Sequence, residues 1–364
     1  MCATNLDRSM NPSKDATFLT ETLLAWYGAN ARELPWRADR DPYRVWISEI
    51  MLQQTRASTA RPYYARFLRE LPTIRALAEA DESRLLKLWE GLGYYSRARN
   101  LQKAARVILE KHAGQFPRAP REIAALPGIG PYTAGAIASI CFEEATPAVD
   151  GNVLRVMARL TGDTAPPDAP GQRRRVAATL ARMYPAEGRR GDFTQSLMEL
   201  GALVCLPGGA ALCGVCPVSA VCTALRENAV ARLPVKSEKK ARRKEEKTVL
   251  VLRCGDAIAL RRRAQKGLLA GLWELPNTDG RLREEEALRF AREWGLRPVR
   301  AVEGKERKHV FTHIEWHMTC FFIDCEAREG PFFWADARML TEEIALPSAF
   351  GKLLRTNKID LEEK

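Results

Sequence analysis

LPGIGPYTAG, residues 126–135, joins two helical stretches through a glycine-rich turn. At Gly128 and Gly130 the turn asks for backbone freedom that only glycine supplies well. Such a turn exposes backbone N–H groups at the start of the second helix, where Thr133 lies in the first turn. Free donors and the helix dipole there suit one phosphate oxygen. This is the form of a helix-hairpin-helix clamp on a DNA backbone, with an ordinary helix-helix turn as the plainer alternative.

On both sides of this turn, from Thr17 to about Cys222, apolar residues recur at helical spacing, as in Leu85, Leu86, Leu88 and Trp89. Residues 1–222 therefore read as a compact all-helical domain. Residues 223–247 hold nine Lys or Arg against four Asp or Glu and end in KSEKKARRKEEK, which has almost nothing to bury; they read as a linker. Beyond it the pattern is β-rich. A hairpin is expected from Thr248 through the turn Cys254-Gly255-Asp256 to Leu260, a helix from Leu282 to Trp294, and a strand around Ile314, Trp316, Met318 and Cys320 with one buried face. Residues 248–364 thus form an α+β domain.

The chain has 364 residues, enough for two domains at about 150 each. Lys and Arg total 57 and Asp and Glu 45, a formal net charge of +12, with pI near 9.4 and mean hydropathy −0.29. These values exclude a disordered chain and a membrane-embedded one, and the positive excess points to a polyanion, with nucleic acid the leading candidate. No apolar run suits a signal peptide or a membrane span, so a reducing, cytoplasmic setting is expected. Nine cysteines, four of them (Cys205, Cys213, Cys216, Cys222) within 18 residues, then indicate metal rather than disulfides. Four thiolates hold either a 4Fe-4S cluster or structural zinc, and spacing alone does not choose.

In PYRVWISEIMLQQT, residues 42–55, helical phase places Arg44, Ser48 and Thr55 on one polar stripe and Glu49 beside Val45, Trp46 and Leu52. A carboxyl group facing an apolar cleft holds its proton to higher pH, as a general acid requires. In PAVDGNV, residues 147–153, Asp150 opens an apolar helix. It is a favoured N-cap, and that role is compatible with a second, catalytic one.

Together these strings resemble one family, the MutY-type adenine DNA glycosylases of the helix-hairpin-helix superfamily, which excise adenine mispaired with 8-oxoguanine. The carriers are LPWR (34–37), SEIMLQQT (48–55), GLGYYSRARNL (91–101), LPGIGPYTAGAI (126–137), VDGNVLRV (149–156), the four cysteines and GLWELP (271–276). The resemblance implies that Glu49 protonates the adenine ring and that Asp150 stabilises an oxocarbenium-like sugar. Tyr132 stands where related glycosylase/lyases carry a Schiff-base lysine, which implies a monofunctional hydrolase. It also implies an adenine pocket of Leu34, Trp36, Arg37 and Gln195, with Gln54 and Tyr94 as wedges in a duplex from which the base is flipped. The plainer alternative for Trp36 and Tyr94 is that they are core aromatics. The cysteines would hold a 4Fe-4S cluster, and the partner would be duplex DNA with A:8-oxoguanine or A:G mispairs, bound by a monomer. The C-terminal domain resembles the family's Nudix-related module, reading 8-oxoguanine through Phe311, Thr312 and His313. REEEALRFAREWG, residues 283–295, lacks the hydrolytic Nudix core, so this module is expected to bind and not to hydrolyse. The chain departs from the family's pattern in a seven-residue first cysteine gap, in Thr194 for asparagine and in Thr312 for serine. Two rivals are a thymine or uracil mismatch glycosylase, which would not need residues 248–345, and a non-catalytic DNA-binding protein, which would not need Glu49 and Asp150.

Overall fold

The structure is a computed structural model and describes residues 14–237 and 241–356. Its contacts divide the chain into two units, Met1–Glu79 with Asn100–Glu238, and Ala80–Arg99 with Lys239–Lys364. A stretch expected in the helical domain, 80–99, thus packs with the C-terminal part of the chain.

The helices are α1 (Lys14–Asn30), α2 (Pro42–Leu52), α3 (Ala57–Glu70), α4 (Ile74–Glu79), α5 (Glu82–Leu88), α6 (Ser96–Lys111), α7 (Pro120–Ala125), α8 (Pro131–Phe142), α9 (Gly151–Thr161), α10 (Gln172–Ala181), α11 (Arg190–Leu203) and α12 (Thr223–Arg226). In unit one Leu19 and Leu23 of α1, Val153 and Leu154 of α9 and Phe193 and Leu197 of α11 close one core. Helix α2 starts on Asp41, whose side chain accepts from Arg44 N, and on Pro42, which needs no N–H at that position. It stops at Leu52, so Thr55 is not on it. The expected polar stripe fails at Ser48 as well, because that residue is 1% exposed and its hydroxyl turns back to Val45 O at 2.8 Å.

At the α7–α8 turn Gly128 has φ +77°, and a β-carbon there would lie 2.5 Å from Asn100 Cβ, so glycine is required. The same expectation fails for Gly130. Its φ is −90°, open to any residue, and a β-carbon would meet nothing within 4 Å. A second close approach lies at Gly135 on α8, where a β-carbon would sit 2.3 Å from Pro147 O. The missing side chain lets the strand-like 147–150 segment lie against α8 and delivers Asp150 to the N-terminus of α9.

Residues 223–247 are folded at both ends and so are not a simple linker. Ala224, Ala229 and Leu233 form a small buried cluster, and Leu233 O accepts from Arg159 Nε at 2.9 Å. The first strand begins at Arg243; residues 238–240 lie outside the described residues.

Unit two is an eight-stranded sheet with strands β1 (Arg243–Cys254), β2 (Ala257–Arg262), β3 (Trp273–Glu274), β4 (Asn277–Asp279), β5 (Pro298–Glu303), β6 (Arg307–Val310), β7 (Ile314–Cys325) and β8 (Phe333–Ala335), and helices α13 (Glu284–Glu293), α14 (Ala337–Glu342) and α15 (Ser348–Thr356). The path runs β3-β2-β1-β7-β5, with β4 on β1, β6 on β7 and β8 on β2. The hairpin β1–β2 turns at the expected place, and β1 also pairs with β7 in parallel, Arg243 opposite Ile314 through Arg253 opposite Asp324. The expected single buried face of β7 is corrected by this position. Trp316, Met318, Cys320 and Phe322 pack with Phe350 and Leu353 of α15, whereas Phe321 and Ile323 pack with Ala287 and Ala291 of α13. Both faces of this central strand are covered from Thr319 to Ile323, whereas at its start His317 is part-exposed and ion-pairs with Glu315.

Candidate active site and DNA interface

Within unit one a cavity of about 1310 Å³ is walled by Glu49 of α2, Tyr132 of α8, Asp150 at the cap of α9, Gln195 and Glu199 of α11, and Leu34, Trp36 and Arg37. Sequence segments more than a hundred residues apart therefore converge. Glu49 is 6% exposed, and Tyr132 Oη donates to its Oε2 at 2.6 Å. Burial pushes the Glu49 carboxyl up to about 7; the Tyr132 hydrogen bond and Arg37 pull the other way, and Asp150 adds to the rise. The Tyr132 hydroxyl is itself raised, chiefly by burial.

Asp150 caps α9 with Oδ1 accepting from Val153 N at 2.7 Å, while Oδ2 accepts from Asn152 Nδ2 at 3.0 Å. Burial raises its pKa, but three hydrogen bonds to the charged form oppose that rise, where Glu49 has one. The two carboxyl groups thus differ in what surrounds them: burial dominates at Glu49, and at Asp150 more hydrogen bonds to the charged form oppose it. From Asp150 the network continues through Asn152 to Arg155 Nη2 at 2.9 Å and on to Cys205 O at 2.8 Å.

Trp36 is buried and stands edge-on to Tyr64, centroids 5.5 Å apart, so it is core and pocket wall at once. Arg37 donates to Glu199 Oε2 at 2.8 Å, and Arg32 grips the same carboxylate through Nε and Nη2, each at 2.7 Å. Burial would raise the Glu199 pKa, but these two guanidinium groups hold it down to about 2. The sequence reading missed Glu199. Its spacing of four from Gln195 on one helix is the signal that places both on one face. It also missed Arg173 and Arg174 of α10, which line the same cavity. Gln54 lies at the cavity wall with φ +60°. Thr133 is 1% exposed and its hydroxyl accepts from Gln53 Nε2 at 3.3 Å, so its side chain ties α8 to the end of α2 and does not reach out to DNA. Thr194 spends its hydroxyl on Ser139 and Tyr184, at 2.9 and 2.7 Å.

Tyr94, Phe311, Thr312 and His313 are brought together elsewhere, at a cavity of about 460 Å³ within unit two. Phe311 to His313 form the turn between β6 and β7. Phe311 packs edge-on against Trp316 at 4.9 Å, leaving Thr312 and His313 exposed. Tyr94 is 53% exposed, so the core-aromatic alternative fails for it, and its hydroxyl lies 3.1 Å from Thr312 Oγ1.

The four cysteines line one cavity in unit one beside Arg159, Val204 and Val218. Among the described residues no three His, Cys, Asp or Glu side chains close on the point a single ion would occupy. The donor set is soft sulfur throughout, which fits a thiolate-bound metal or cluster. Arg159, buried, points Nη1 at Cys205 Sγ at 3.3 Å and donates to Leu206 O and Gly208 O, which braces the longer first gap. Burial lifts the Cys216 thiol up to about 11, so a metal must displace its proton.

Residues 47–180 match the family model of the HhH-GPD superfamily base excision DNA repair proteins, and residues 248–356 match that of the NUDIX domain. Adenine DNA glycosylases are similar over most of the chain. That of Homo sapiens is 36% identical, covering 94% of this chain and 74% of its own; that of Mus musculus is 34% identical, covering 94% and 78%. That of Buchnera aphidicola (subsp. Schizaphis graminum) is 31% identical, covering 93% and 98%. The chain belongs to the MutY-type adenine DNA glycosylase family. As a MutY-type adenine DNA glycosylase it is an enzyme of base excision repair that acts on DNA. A solved thermostable thymine-DNA glycosylase is similar over 59% of this chain and 98% of its own, with TM-score 0.54 and 27% identity. That likeness lies in a fold shared by glycosylases for different bases, so base choice must be sought in the cavity wall.

Proposed function

We propose that this MutY-type glycosylase hydrolyses the N-glycosidic bond of adenine paired with 8-oxoguanine, or with guanine, by a monofunctional route. The observation that carries the proposal is the shared cavity, in which a buried Glu49 with its pKa near 7 faces a capped Asp150. An N-glycosidic bond breaks readily when the base leaves neutral and the positive sugar meets an anion. Glu49 gives its proton to a ring nitrogen of the extruded adenine as the bond from C1′ to the base breaks. Asp150 faces the oxocarbenium-like sugar, water adds to C1′ and gives its proton to the Glu49 carboxylate, restoring the acid, and free adenine and an abasic site result. Tyr132 orients Glu49 and offers no amine, so no Schiff base forms.

Gln195 supplies an amide to an adenine edge, with Arg37, fixed by its ion pair to Glu199, beside it and Trp36 and Leu34 as apolar walls. The open space at Gly130 supports approach of a phosphate to the backbone, with Arg173 and Arg174 as further cations on the DNA side. Gln54 and Tyr94 serve as wedges, and Phe311, Thr312 and His313 read the opposite 8-oxoguanine. Unit two is read as a binding module, since 283–295 lacks the hydrolytic Nudix core and Glu286 spends its carboxylate as a helix cap, accepting from Arg283 N at 2.8 Å. Cys205, Cys213, Cys216 and Cys222 would hold a 4Fe-4S cluster, which cross-links the 205–222 loop when bound. The protein acts as a monomer in the cytoplasm.

The direct experiment is single-turnover incubation with duplexes carrying adenine opposite 8-oxoguanine, guanine, cytosine or thymine, with a T:G duplex beside them and borohydride in a parallel set. Adenine release fastest opposite 8-oxoguanine, without a trapped adduct, is expected. Thymine release, or a trapped adduct, would overturn the proposal.

A further inference from the structure

Tyr94 stands with φ +47°, a conformation a bulky residue rarely adopts, and such strain persists only where its surroundings over-determine it. The surroundings are specific. The guanidinium of Arg97, a buried residue, lies between two rings, 5.2 Å from the Trp89 centroid and 5.6 Å from that of Tyr94. Its Nη2 donates to Leu92 O at 2.9 Å and to Gly93 O at 3.1 Å, the two carbonyls that lead into Tyr94. Trp89 Nε1 donates to the same Gly93 O at 3.1 Å, and Arg97 N closes the turn on Tyr94 O at 2.9 Å. One planar cation therefore fixes both the peptide planes before the tyrosine and the face of its ring.

This segment is fastened in turn to the rest of unit two. Lys87 Nζ donates to Leu340 O at 2.8 Å and Ile344 O at 3.0 Å, and Glu90 Oε1 accepts from Leu346 N at 2.9 Å. Arg99 Nη1 donates to Ala270 O at 2.8 Å. The tyrosine hydroxyl then meets Thr312. Residues 80–99 and the β6–β7 turn thus make one body, although the family model for base excision repair proteins runs through 80–99.

We propose that Arg97 is a positioning residue that presets Tyr94 against Thr312, and that Lys87 and Glu90 anchor the segment carrying this tyrosine to residues 340–346 of unit two, so that preference for the opposite base depends on side chains that touch no DNA. The proposal rests on the reading of Tyr94 and Thr312 given above. Wedge and reader then meet the opposite strand together, and the wedge angle is set before DNA arrives.

The test uses the full-length protein and A:8-oxoguanine and A:G duplexes. Single-turnover excision at saturating enzyme and the Kd for each duplex are measured for wild type, Arg97→Gln, Arg97→Lys and Lys87→Met, with thermal melting alongside. Arg97→Gln is expected to reduce the ratio of the two affinities by roughly tenfold, with the saturated A:G rate kept. Arg97→Lys, which keeps the cation over the ring and loses the fork, should restore part of the ratio. A merely structural role would lower melting and active fraction for both duplexes alike and leave the ratio untouched; that result overturns the proposal. Should Arg97→Gln fail to fold, Lys87→Met carries the same expectation, and a wild-type ratio there overturns it. A wild type that does not distinguish the two duplexes overturns the lesion-reading assignment itself, and this inference with it; a discriminating wild type with unaltered variants overturns this inference alone.

Discussion

At the scale of single residues the chemistry rests on Glu49 being uncharged while the fold is intact. A carboxyl raised from 4.5 to about 7 by burial favours the folded state fully below about pH 4.5, and that contribution is lost as pH rises to about 7 and beyond. Glu49→Gln, an uncharged replacement of nearly the same shape, should therefore melt higher than wild type at pH 8, and the gap should close at pH 5. The same variant should bind A:8-oxoguanine duplex with a Kd near that of wild type and excise no adenine; normal turnover would remove the general acid. Helical phase made the burial of Glu49 legible, since Val45, Trp46 and Leu52 surround it in any α-helix. The Tyr132 hydrogen bond was not legible, because 83 residues separate the partners and only the packing of α2 on α8 joins them. Ser48 was misread for a related reason: phase fixes direction, but which direction is wet depends on what packs there.

At the scale of elements, the placement of Asp150 depends on the absence of a side chain at Gly135. Gly135→Ala would force a methyl into Pro147 O, a backbone atom that cannot swing away. A loss of about 1–3 kcal/mol, read as a lower midpoint in urea unfolding, is expected, with a further drop in excision rate because the 147–150 segment shifts. The LPGIGPYTAG stretch showed the turn and Gly128 correctly, but the reason for Gly130 was wrong, since its backbone is ordinary and its value lies in the space it leaves. The cysteine loop belongs to the same scale. Purified protein should be brown, with four irons per chain and broad visible absorption; a colourless protein carrying zinc would contradict the cluster. For β7, alternation suggested one wet face, and the missing fact was the parallel partner β1, which leads a helix onto each side.

For the whole molecule, length and composition point to two domains and a polyanion partner, and the motifs point to a glycosylase. What composition hid is that 80–99 belongs with the C-terminal unit, because local sequence there is as helical as its neighbours and contacts such as those of Lys87, Glu90, Tyr94 and Arg99 show where it is held. The charge of the basic run before β1 reads as a linker, whereas Arg243 to Lys247 pair with β7; a ladder of backbone hydrogen bonds can hold a charged segment that has little to bury. With a net charge of +12, affinity for duplex DNA should fall linearly on a log-log plot against salt, as counterions leave the phosphates. Fluorescence anisotropy at several salt concentrations measures this, and a flat line would count against the DNA interface.

One profile bears on the pair of carboxyl groups more directly than any other, kcat/KM for adenine release from A:8-oxoguanine duplex between pH 5 and 9, since it reports groups of the free enzyme. A limb falling about tenfold per pH unit above pH 7, the ionisation of Glu49 in its cavity, is the expected result. A rate that stays level to pH 9 would mean that no proton held at Glu49 is used, and the account of catalysis would fail.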